Sequence, residues 1–131
     1  MSKYIYYESI VFSNRELLLA ALADLGYTEV EEGEALALYG YLGDRRPETA
    51  ALVVRLRHLG RASNDLGFAR TADGYVPIIS EYDQRVLRGG RFLVELRTAY
   101  SELVVEAVRQ RLRGSIRRTV ADGLVRIQVR F

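Results

Sequence analysis

The sequence predicts an α+β fold, a mainly antiparallel sheet with two helices packed on one face, in the order β-α-β-β-β-β-α-β-β. Three observations carry this. Residues 14–25 and 91–113 repeat apolar side chains at the helical period. Between them lie several short segments that are apolar or alternate apolar with polar residues, as strands do. Two of these segments flank Asp73-Gly74, a pair that favours a hairpin turn. Strands grouped between helices, without strict alternation, point to α+β. At 131 residues the chain is near the common size of one domain, so a single domain over residues 1–131 is expected.

Each element has its own justification. Residues 4–11 are rich in tyrosine and isoleucine and read as the first strand. Ser13 followed by Glu16 forms a capping box, in which the hydroxyl accepts an early helix amide and the carboxylate reaches back. The first helix then spans residues 14–25, with Leu17, Leu18, Ala21, Leu22 and Leu25 in one arc and Gly26 as the left-handed stop. The acidic patch Glu29, Glu31, Glu32 and Glu34 reads as a turn or a solvated edge, and residues 35–42 as a strand. Pro47 lies in a polar loop, residues 43–48. Leu52, Val54 and Leu56 then alternate with Val53, Arg55 and Arg57, a half-buried strand. Residues 66–71 and 75–80 form a hairpin around Ala72, Asp73 and Gly74.

Gly89 and Gly90 break the chain before the second helix, residues 91–113. Phe92, Leu93, Leu96, Ala99, Tyr100, Leu103, Val104 and Ala107 share one arc, opposite a charged side. Gly114 is expected to end it. Residues 115–120, the turn Ala121-Asp122-Gly123 and residues 124–131 are expected to form a closing hairpin, in which Val125, Ile127, Val129 and Phe131 alternate with Arg126, Gln128 and Arg130.

Composition excludes whole classes of chemistry. Apolar residues at 49% and charged residues at 27% are those of a packed globular protein. No cysteine is present, so disulfides, thiolate catalysis and cysteine-based metal sites are excluded, as is usual in a reducing cytoplasm. No apolar run approaches a membrane span and the first 16 residues do not have a signal-peptide pattern, so a cytoplasmic location with no membrane contact is expected. The charge is lopsided: residues 1–84 hold 8 basic and 13 acidic side chains, and residues 85–131 hold 11 and 4. Lys3 is the one lysine, which makes the chain arginine-rich.

Several segments resemble the hypothetical chloroplast reading frame 35 family, also called domain of unknown function 1257. They are Ala23-Asp24-Leu25-Gly26-Tyr27, Asp65-Leu66-Gly67-Phe68-Ala69-Arg70 leading through Ala72-Asp73-Gly74-Tyr75 to Glu81-Tyr82-Asp83, residues 96–100, and Ala121-Asp122-Gly123. Members usually carry tryptophans that this chain lacks, so the resemblance is to a diverged bacterial member. It implies no reaction and no catalytic residues. It does imply a protein partner, as some members are encoded near an AAA-type ATPase. The shared residues are of the kind that turns and cores require.

The chemically suggestive residues are few. His58 stands alone at the end of a strand, which excludes a histidine triad or a His-rich metal site. No phosphate-binding glycine loop occurs; the nearest approach is Arg88-Gly89-Gly90-Arg91 at a helix start, a candidate anion site. Arg117, Arg118, Arg126 and Arg130 form, with Arg88 and Arg91, the candidate surface for an anion or a partner. No catalytic, metal or cofactor-binding residue is assigned. The leading expectation is a noncatalytic interaction or assembly protein that presents an exposed sheet face or arginine-rich hairpin to a partner or to a second copy. RNA or single-stranded nucleic-acid binding through the basic C-terminal third is one alternative. A small enzyme or anion-binding protein with a site near Glu81 and Asp83, with Arg70 and Arg91, is another.

Overall fold

The computed structural model describes residues 2–122, and side chains as far as Ser115. The elements are β1 (Tyr4–Tyr6), α1 (Arg15–Asp24), β2 (Glu31–Tyr39), β3 (Arg45–Val54), β4 (Leu66–Thr71), β5 (Gly74–Ser80), α2 (Glu81–Val86) and α3 (Phe92–Asp122). The strands form one antiparallel sheet in the order β1-β5-β4-β3-β2. The α+β class holds, with α1 and α3 on one face of the sheet. Leu18, Ala21 and Leu22 of α1 and Phe92, Leu93, Leu96 and Ala99 of α3 share a core with Leu52, Val54, Phe68 and Ile79 of the sheet.

Local chemistry explains where elements begin and end. Strand β1 stops at Tyr6 because the chain turns, Ile10 N–H donating to the Tyr7 carbonyl, and it returns to the sheet only where Phe12 bridges Tyr75. Asn14, not Ser13, caps α1: its side chain accepts from Leu17 N–H at 3.0 Å. Gly26, at φ +99°, closes the helix, and Tyr27 N–H reaches back to the Leu22 carbonyl. The β4–β5 hairpin turns at Ala72-Asp73, as the sequence predicts. At Gly74 (φ +144°) an added Cβ would lie 2.5 Å from the Phe12 carbonyl oxygen.

The hairpin of β2 and β3 departs most from expectation. Glu31 to Glu34 belong to β2, and Pro47 lies inside β3, where the ladder to β2 slips between Ala37 and Tyr39 and no pairing to β4 exists. A second slip separates Glu32 from Leu36. These irregularities carry the far half of the hairpin across the sheet face opposite the helices. There Leu38 and Ala50 join Tyr4, Val53 and Ile78 in a second buried cluster. The sheet face that the sequence left bare is therefore partly covered. Gly67 lies beneath this cover: a Cβ at that position would be 2.8 Å from the Ala50 Cβ.

Two corrections concern the C-terminal third. Among the described residues there are three α-helices, since Glu81–Val86 forms the short α2. Helix α3 does not stop at Gly114 but continues to Asp122, so residues 115–120 are helical and do not form the first strand of a closing hairpin. Gly in a helix costs about 1 kcal/mol, too little to halt a helix this long. Ala121 and Asp122, expected in a turn, also belong to the helix, and residues 123–131 lie outside the described residues.

Candidate functional site

The most characteristic sequence segments meet at two buried polar junctions, both structural. At the first, the Asp65 carboxylate is 2% exposed and accepts from Tyr39 N–H, Leu56 N–H and the Arg55 guanidinium, each at 2.8 Å. Tyr4 O–H donates to the Asp65 carbonyl at 2.6 Å, which ties β1 to the same point. Burial, and then the negative Asp65, push the Tyr4 phenol well above its ordinary value. Arg55 also donates to the Ala37 carbonyl and forks onto Glu31, which holds the Glu31 carboxyl below the usual range.

At the second junction Ser80 caps α2. Its Oγ accepts from Asp83 N–H at 3.0 Å and donates to the Asp83 carboxylate at 2.6 Å. The same carboxylate oxygen accepts from Asn64 N–H and from the Asn64 amide. Asp83 is 1% exposed and its other oxygen has no hydrogen-bond partner. A substrate would have to open the α2 cap to reach it.

The remaining candidates are scattered. Glu81 is exposed at the start of α2, while Arg70 lines one cleft with Arg15, Glu32 and Tyr75, and Arg91 lines another. The four residues of the enzyme alternative therefore do not face one cavity. The Arg91 cleft, about 380 Å³, also contains Asp24, Glu95, Glu102 and Arg88, three carboxylates against two guanidiniums. Arg88 is committed elsewhere: it pairs with Glu95 and donates to the Leu25 carbonyl at the end of α1. It holds a left-handed conformation (φ 52°), followed by Gly89 and Gly90, in the turn that ends α2 and redirects the chain into α3. His58 lies 2.9 Å from Glu29 in the turn after β3. Among the described residues no three His, Asp or Glu side chains gather as metal ligands. Arg117 and Arg118 lie on α3, on helix and not on a strand, with side chains outside the description. Arg126 and Arg130 fall outside the described residues.

The residues the sequence reading missed are on the outer face of α3. Docking on the core uses its start: Phe92, Leu93, Leu96 and Ala99 are buried, and Tyr100 and Leu103 pack against them half-buried. From Val104 to Ser115, about 18 Å of helix at 1.5 Å per residue, no residue is buried among the described residues. About 180° around the helix from Leu96 runs a second line of side chains, Val94, Thr98, Ser101, Val105, Val108 and Leu112. Their steps of 4, 3, 4, 3 and 4 residues are those of a coiled-coil seam. Val94 is 53% exposed and Val105 is 47% exposed, in contrast to the buried core stripe. A groove of about 580 Å³ follows this line, its described walls being Val94, Arg97, Thr98, Ser101, Glu102, Val105 and Arg109. The 4-3 spacing was the available signal. It went unread because Glu95, Glu102, Glu106, Arg109 and Arg113 flank the seam and made that side look purely charged.

No curated protein and no solved structure matches the chain. A family model described as "Protein of unknown function (DUF1257)" matches residues 21–127. That stretch includes both polar junctions, apart from Tyr4, and the whole of α3.

Proposed function

This chain belongs to the DUF1257 family of proteins of unknown function, which assigns it no reaction, and on that premise we propose a noncatalytic interaction or assembly protein whose working surface is the outer face of α3. The observation that carries this is the 4-3 line from Val94 to Leu112, exposed at Val94, Thr98, Ser101 and Val105 and half-buried at Val108 and Leu112, on a helix whose start buries the opposite face. An apolar line with heptad spacing gains nothing from facing water, and a partner helix is what such a line accommodates. The internal polar groups support the same reading, since Asp65, Arg55, Ser80 and Asp83 are occupied with holding elements together.

The test is co-purification of tagged protein from a native extract at two salt concentrations, for wild type and Val105→Asp. A charge in the middle of the seam should abolish capture while the far-ultraviolet circular dichroism stays unchanged. Recovery of an ATPase or another protein by wild type alone would identify the partner. Capture unchanged by Val105→Asp, or capture of RNA that a nuclease removes, would reject this surface, the second outcome in favour of the basic C-terminal third.

A further inference from the structure

We infer that the occupant of the α3 seam is a second copy of this chain, its α3 lying antiparallel across the first. This rests on the reading that the outer face of α3 is a docking surface, and it goes further by fixing both the partner and its direction. The face is complementary to itself in one direction. On the side of the helix that bears the seam, Glu95, Glu102 and Glu106 come first, with Arg97 on its other edge, and Arg109 and Arg113 follow. An antiparallel copy sets the acidic half of each helix against the basic half of the other. Parallel packing would pair Arg97 with Glu102 but leave Arg109 beside Val104, without a carboxylate.

The apolar line gives the register. With the two-fold axis between Val105 and Val108, Val105 of one helix meets Val108 of the other, and Ser101 meets Leu112. The same register brings Glu102 beside Arg109 of the second copy, and by symmetry Arg109 beside Glu102. Glu106 and Arg109 are only 3.8 Å apart within one helix, and both are about half exposed, so they can turn to an intermolecular partner at little cost. The core of each copy lies on the far side of its own helix, which leaves the seam open to approach.

Sedimentation of the full chain at low and high salt tests this. Wild type should sediment as a dimer that weakens as salt rises. Glu102→Arg faces Arg109 twice in the dimer and should raise its dissociation constant about tenfold or more. The exchange Glu102→Arg with Arg109→Glu restores opposite charges only in the antiparallel register, and should recover wild-type association. A monomeric wild type at low salt would overturn the second copy as occupant; so would an exchange variant no tighter than Glu102→Arg alone. If wild type is monomeric but Val105→Asp still loses a captured protein, the surface stands and its occupant is a different chain. If Val105→Asp loses nothing, the surface itself is wrong.

Discussion

The Asp65 side chain ties β2 to the turn after β3, accepting from Tyr39 N–H, Leu56 N–H and the Arg55 guanidinium, while its backbone carbonyl accepts from Tyr4 of β1. A buried carboxylate left without these donors is costly, as is a half-buried Arg55 left without its carboxylate. Asp65→Ala should therefore lower stability by about 3 kcal/mol in urea denaturation, and a loss under about 0.5 kcal/mol would remove Asp65 from this role. Tyr4 gives a prediction in pH. Its folded pKa is raised above the ordinary value of 10.0, so the unfolded chain ionises first as pH rises. Stability from this group is complete below pH 10 and is lost above it. Wild type should thus lose stability more steeply above pH 10 than Tyr4→Phe does, and parallel curves for the two proteins would contradict the assignment. Gly67 needs its missing side chain for packing: Gly67→Ala pushes against the Ala50 Cβ, which moves only with its strand. The expected loss is about 1–3 kcal/mol, read from the melting transition.

At the scale of elements, what was legible was whatever is encoded within a few residues. The β4–β5 hairpin follows from Asp73-Gly74 between two apolar segments, and α1 from five apolar residues in one arc closed by Gly26. Its cap was misplaced by one residue because Ser13 and Asn14 are both capping types, and only the backbone decides that Asn14 points at Leu17. Asn14→Ala should cost about 1 kcal/mol and Ser13→Ala much less, a difference that thermal denaturation resolves. Helix α2 escaped notice because six residues are too few to show a helical period; its signal was Ser80 three residues before Asp83. The bend of the β2–β3 hairpin had no local signal. It depends on Tyr39 meeting Asp65 and on Arg46 reaching the Ser2 carbonyl, contacts between residues distant in sequence. The extent of α3 was misread for a different reason, because Gly114 looks like a stop although a continuing helix tolerates it.

For the whole molecule, the contrast between its two ends suggests how it works. The sheet, α1 and the start of α3 form one packed body, its parts joined by Asp65, Arg55, Ser80 and Asp83. The rest of α3 extends from that body with a second, mostly apolar line that no described residue is seen to bury, and with acidic residues preceding basic ones along it. Of the candidate residues named from sequence, Arg88 is bound into the α2–α3 turn and Arg91 lies in a cleft of mixed charge. The surface that remains was hidden among charges that flank it, and it became visible only once the opposite face was seen to be buried. The most direct test of antiparallel self-pairing uses the absence of native cysteine. Single variants Ser101→Cys and Leu112→Cys, oxidised separately and as a mixture, report which positions of the two helices meet. A disulfide-linked dimer is expected in the mixture and little from either variant alone; efficient linking of Ser101→Cys to itself, or no linking in the mixture, would refute antiparallel pairing.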